Sequence, residues 1–127
     1  MSLKKDAFPN STAFDEINDY LKASDSQRLQ AMKTAKAKIA FKLRNKKGDE
    51  HSWHIDLKDK GEVREGLGED PTVTLSLSDE DFGKLVTGKG NAQRMFMMGS
   101  LRVSGDIMKA SVMSTILKKA MASKAKL

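Results

Sequence analysis

The 127-residue chain contains no cysteine, which excludes disulfides and thiolate metal sites. It has only two histidines, His51 and His54, and both fall in one alternating segment. An odd spacing on a strand points them to opposite faces, so neither a metal centre nor acid–base catalysis has the groups it needs. No stretch approaches the ~20 consecutive apolar residues that a membrane-spanning helix requires. Residues 1–6, Met-Ser-Leu-Lys-Lys-Asp, lack the apolar run of a secretory signal. These absences lead to the expectation of a soluble protein in a reducing compartment. Acidic residues are scarce towards the end, where Asp106 is the only one after Asp81.

What is present fits one domain with a real core, because a chain of this length is too short for two. Apolar residues make up 39%, too many for a disordered chain. The net charge of +6 comes in blocks: 8 basic and no acidic residues over 28–48, 3 basic and 11 acidic over 49–81, then 9 basic and 1 acidic over 82–127. Blocks of this kind neutralise one another in part across paired strands and leave a moderately basic surface.

Two periods alternate along the chain. Phe14, Ile17 and Leu21 make a helical stripe, with Thr12 and Asp15 at capping-box spacing. A second short helix is expected after Ser24 or Ser26, burying Leu29 and Met32. Ile39, Phe41 and Leu43 then alternate with polar neighbours, as do Trp53, Ile55 and Leu57, with a turn at 45–49 between them. One short strand fits near Val63, and Val73, Leu75 and Leu77 form the next. Ser78 is placed to cap a helix bearing Phe82, Leu85 and Val86, and Asn91 a helix over 92–98. Leu101 and Val103 suit a last strand, and Asp106 caps a final helix to about Ala122. The expected fold class is α+β: a largely antiparallel sheet of about five strands, one face covered by helices and the other wet.

The last third carries more apolar mass than so small a sheet needs. Val112, Met113, Ile116, Leu117, Ala120 and Met121 spread over about half the helix circumference. Six of the 8 methionines lie after residue 94. Methionine repacks readily around varied apolar partners. Periodicity alone fits a filled core as well as a cavity between helices and sheet.

Other candidates each have a plain structural explanation. Gly88-Lys89-Gly90-Asn91 could present free N–H groups to an anion, or be a helix stop, a turn and a cap in succession. Lys109 could meet a lipid head group or extend its stem to water. The basic residues at 28–47 include the wet face of a strand, and no stacking platform or nucleic-acid motif accompanies them.

From Val73 the chain reads Val-Thr-Leu-Ser-Leu-Ser-Asp-Glu-Asp-Phe, then Leu85-Val86-Thr87-Gly88-Lys89-Gly90-Asn91-Ala92-Gln93. It continues from Met95 through Gly99-Ser100-Leu101 to Gly105-Asp106-Ile107-Met108-Lys109. This resembles the signature of the sterol carrier protein type-two family, and Trp53-His54-Ile55-Asp56-Leu57-Lys58 resembles that family's second strand. Ala92 departs from the pattern, where many relatives have proline. The similarity spans nearly the whole chain and is specific over 73–109.

The resemblance implies an apolar lipid tunnel between helices and sheet, in a stand-alone, non-enzymatic carrier. Its ligands would be fatty acid, fatty acyl-CoA, and further sterols or phospholipids; it would need no cofactor, no metal and no nucleic acid. By position, the lining would draw on Phe82, Leu85, Met95, Phe96, Leu101, Val103, Met108, Val112, Met113, Ile116 and Leu117. Ala125-Lys126-Leu127 is similar to the Ser-Lys-Leu peroxisomal address and would be read by an import receptor, placing the protein in the peroxisome matrix. The expected division is one domain over 1–122 and a flexible targeting tail over 123–127, in a monomer that touches anionic membranes transiently. The readings to be set against this are a small thioesterase-like enzyme acting on acyl-CoA and a basic nucleic-acid-binding module.

Overall fold

A computed structural model describes residues 3–125. A 3-10 turn at Pro9–Ser11 leads into helices α1 (Thr12–Ala23) and α2 (Asp25–Ala35). Strands β1 (Lys38–Arg44), β2 (Glu50–Asp56), β3 (Glu62–Glu65) and β4 (Val73–Ser78) follow. Helices α3 (Asp79–Val86) and α4 (Ala92–Met98), strand β5 (Arg102–Gly105) and helix α5 (Ile107–Ala125) complete the order.

The strands form one sheet in the order β3-β2-β1-β4-β5. Three neighbouring pairs are antiparallel and the central β1–β4 pair is parallel. A parallel pair needs a long crossover, which the 28 residues from Asn45 to Thr72, carrying β2 and β3, supply. The β1–β2 register sets Phe41 opposite Trp53 and Ile39 opposite Ile55, so the apolar faces of the hairpin coincide. Leu75 sits beside Phe41 on one side and Val103 on the other, extending that face across the sheet.

The core lies between this face and the helices. Phe14 is its hub: its ring stacks on Trp53 and on Phe82, each with centroids 4.8 Å apart, and meets Phe41 edge-on. The indole N–H of Trp53 donates to the Leu3 carbonyl at 2.7 Å, which ties Leu3 to this cluster. Gln27 N–H donates to the Ser24 hydroxyl and Asp81 N–H to that of Ser78, so these two caps form as their sequences suggest.

Two expectations about the first helices are corrected. The box between Thr12 and Asp15 does not form, because Ser11 precedes the helix and its hydroxyl is held by the Phe8 carbonyl at 2.6 Å. Asp15 instead accepts from the backbone N–H groups of Leu3 and Lys4. Leu29 is 58% exposed, not buried; α2 turns its small residues Ala31 and Ala35 inward, which brings its backbone close to its neighbours.

The outer face of the sheet is only partly wet. Ala40 and Asp56 are buried there, and the loop from Gly66 folds back so that Gly68 packs on the His54 ring. Burial pushes the Asp56 pKa upward, but N–H donors from Asp59, Lys58 and Lys60 and the Lys38 charge outweigh it and hold the carboxyl below its ordinary value. A depressed carboxylate stabilises the fold fully above its unfolded pKa of about 3.9 and loses that contribution as pH falls through the folded value. Asp56→Ala is therefore expected to cost about 1–3 kcal/mol at neutral pH. In urea melts against pH, the gap from wild type should close only in acid.

Candidate functional site

The apolar block foreseen in the last third is assembled by α3, α4, β4, β5 and α5. Spacing of 3.6 residues per turn puts Ala110, Met113 and Leu117 on one stripe of α5, and Ile116 and Ala120 beside it. Met113, Ile116, Leu117 and Ala120 are buried. Beneath α5 lie Leu75 from β4, Leu85 from α3, Ala92 from α4 and Leu101, which precedes β5. These residues, with Ala110, Met113, Ser114 and Leu117, enclose a cavity of about 10 Å³. A second small cavity, about 20 Å³, lies on the other flank of α5 among Tyr20, Ala31, Ile116 and Lys119.

Among the described residues, the space under α5 is largely filled by the protein's own side chains. A small-molecule pocket commonly measures about 300–1,000 Å³, so a ligand could enter only if the layers part. Seven of the eight residues around the cavity under α5 are apolar. The three buried polar residues among those described, Ser11, Asp56 and Asp79, do not line it.

Of the residues assigned to the lining, Leu85, Leu101, Met113 and Leu117 border this cavity. Phe82, Met95 and Ile116 are buried in the same core, and Val103 and Val112 pack against it half-buried. Phe96 and Met108 do not border this cavity and are 43% and 79% exposed. Each helical residue advances about 100° around its axis, so Phe96 is carried off the face that buries Met95. Met108 lies five residues from Met113, about 140° round the helix, and points outward. Leu75, Ala92 and Ala110 were not foreseen as lining. Ala110 was legible as the residue three before Met113, and Leu75 as the centre of the β4 alternation.

Two N–H groups of the loop 88–91 serve the structure. Gly88 and Gly90 donate to the carbonyls of Leu85 and Lys84, and Asn91 accepts from Arg94 N–H as the cap of α4. A side chain at Gly90 would overlap the end of Met95, so the glycine allows α4 to seat that methionine inward. The Lys109 ammonium donates to the Ala35 carbonyl at 2.6 Å, at the C-terminal end of α2. Cations favour that end of a helix, and this bond clasps the start of α5 to α2. Lys109→Met is expected to lower stability by about 1–2 kcal/mol, read from chemical denaturation, and to raise hydrogen exchange at the start of α5.

A cleft of about 510 Å³ lies elsewhere, between Asp6–Pro9, the turn at Arg44–Asp49 and the start of α3. Its walls mix Arg44, Lys46 and Lys47 with Asp6, Asp49, Asp79 and Glu80, beside the apolar Ala7 and Pro9. His51 and His54 do lie on opposite faces; His51 is set against Phe8 and Trp53, with Glu65 3.6 Å from its Nε2. No group of three potential metal-ligating side chains occurs among the described residues.

A mixed five-stranded sheet with an apolar face covered by helices defines an α+β fold. The chain belongs to the SCP-2 sterol transfer family, whose model matches residues 17–118. It is 46% identical over 125 residues to a fatty acid-binding protein of Yarrowia lipolytica, covering 94% of this chain and 97% of that one. It is 40% identical over 121 residues to the oleate-induced peroxisomal protein POX18 of Candida maltosa, covering 94% of each. The solved apo structure of sterol carrier protein 2 from Yarrowia lipolytica superposes with a TM-score of 0.89 at 45% identity, covering 95% of this chain and 98% of that one.

Proposed function

We propose that this chain is a carrier that takes up one acyl chain beneath α5, binding fatty acid or fatty acyl-CoA and passing it between membranes. Sterols and phospholipids are further cargo of the same site. The observation that carries this reading is the apolar wall of the space under α5. About ten methylenes buried at about 0.8 kcal/mol each would supply about 8 kcal/mol, the free energy of micromolar binding. That term must also offset the parting of α5 from the sheet. Such a site discriminates weakly, since one methylene more or less changes little.

The chain acts here as a monomer and not as an enzyme: the buried polar groups are committed to structure, as Asp79 is to Asn10. Residues 1–122 form the lipid-binding domain. Ala125, Lys126 and Leu127 serve as an address read by a peroxisomal import receptor, delivering the carrier to the matrix; Lys126 and Leu127 lie outside the described residues. The peroxisomal assignment is supported by the name of the Candida relative. Contact with an anionic membrane surface accompanies loading and release.

Titration with a fluorescent fatty acid, displaced by oleoyl-CoA, tests the reading. Saturation at one ligand per chain with no release of free CoA supports it. Steady CoA release under excess acyl-CoA would replace the carrier with a thioesterase. Trp53 stacks on Phe14, and Phe14 on Phe82, so the tryptophan does not line the cavity and its own emission should change little.

A further inference from the structure

The end of α4 leaves apolar surface uncovered. Met95 is buried, yet Met97 and Met98 are 78% and 76% exposed and Phe96 is also exposed. Three consecutive exposed apolar residues at the end of a seven-residue helix contribute nothing to the core. The chain then turns at Gly99, whose φ of 84° closes the helix in the left-handed region.

Directly beyond that turn lies a groove of about 310 Å³ on the outer face of the sheet, bordered by Gly99 and Ser100. Its other walls include Lys42 and Arg44 of β1, Ser76 and Ser78 of β4 and Arg102 of β5. The register places Lys42 beside Ser76 and Ser76 beside Arg102, so cations and hydroxyls run in a row across three strands. Lys42, Arg44 and Arg102 make no ion pair among those found in the described residues. Of the two acidic residues at the groove, Asp81 lies 4.0 Å from Lys84, and Glu50 sits opposite Arg44. Arg94 adds a further exposed cation on α4 itself.

We infer that the α4 tip and this groove together form the face that docks on an anionic phospholipid bilayer. Met97, Met98 and Phe96 enter the acyl boundary, while Lys42, Arg44 and Arg102 receive lipid phosphates at the depth of the head groups. Apolar side chains rimmed by cations match the two layers of such a surface, which neither a neutral bilayer nor water does. The inference deepens the carrier reading, and it gives α4 two faces: Met95 on the lipid-enclosing core and its neighbours on the membrane.

The test is co-sedimentation of the full chain with phosphatidylcholine vesicles, with and without phosphatidylserine. Wild type should bind the serine-containing vesicles, weakly the neutral ones, and release as salt rises. Met97→Ser with Met98→Ser should lower binding about tenfold or more. Lys42→Gln and Arg102→Gln should each lower it about fivefold. Leu29→Ser, on exposed α2, should leave it unchanged. Affinity for a soluble acyl probe should stay constant in all four, which separates docking from cargo binding. Unchanged vesicle binding in the double methionine variant would overturn the inference. So would equal binding to neutral and anionic vesicles, or a wild-type dimer dissolved by those substitutions while vesicle binding persists. If no variant or wild type takes up the probe yet the vesicle pattern holds, the carrier reading falls and the docking face stands.

Discussion

Leu117→Asp is expected to reduce acyl-chain affinity by at least about a hundredfold, whereas Leu117→Ala should preserve it. Leu117 is 3% exposed and borders the cavity under α5. A carboxylate there would have to lose its water against a wall of methyl and thioether groups, or force α5 to remain lifted. Either outcome removes the apolar lining that would pay for binding. Alanine acts in the opposite direction: it costs about 2–5 kcal/mol of stability but widens the space a guest can fill. Circular dichroism and a fluorescent fatty-acid titration on both variants provide the check. If the aspartate variant stays folded and binds as wild type does, the acyl chain lies elsewhere.

The largest loss of stability is expected from Phe14→Ala, about 3–5 kcal/mol. Phe14 is fully buried, and its ring is shared by Trp53, Phe82 and Phe41. Its removal empties a ring-sized space and breaks two stacked contacts and one edge contact together. A domain of this size has about 5–15 kcal/mol in all, so the variant should stand near its unfolding threshold. Phe14→Leu should recover part of the loss. Denaturation followed at Trp53 measures both, and an effect of under about 1 kcal/mol would show that the cluster is not the structural centre described here.

The elements legible in the sequence were those with a local signal. The alternation of Val73, Leu75 and Leu77 marks β4, and all three face the core. Ser78, Asn91 and Ser24 each cap the helix their spacing suggests. What escaped depended on distant partners. The parallel pairing of β1 with β4 joins segments separated by a crossover, and no residue in either strand announces it. Thr12 and Asp15 had the right spacing for a box, but Leu3 and Lys4 compete for the Asp15 carboxylate from outside the helix. Lys109 finds a carbonyl 74 residues away.

The candidate site divides along the same line. The α5 stripe through Met113 and Leu117 follows from helical period, and the family signature supplied Leu85, Met95 and Leu101. Neither stated which way each helix turns. Phe96 and Met108 accordingly lie exposed in this structure, and Phe96 joins the proposed docking face. How far the space under α5 is filled was equally hidden, because apolar periodicity is the same whether the layers are packed or parted.

The central claim is that the apolar layer under α5 parts to enclose an acyl chain, and a heteronuclear NMR titration with oleate tests it most directly. Shifts should saturate at one equivalent and concentrate at Leu85, Met95, Leu101, Met113 and Leu117, with hydrogen exchange along α5 altered. Shifts confined to the cleft between Asp6 and Asp49, or none at all up to saturating oleate, would contradict the account.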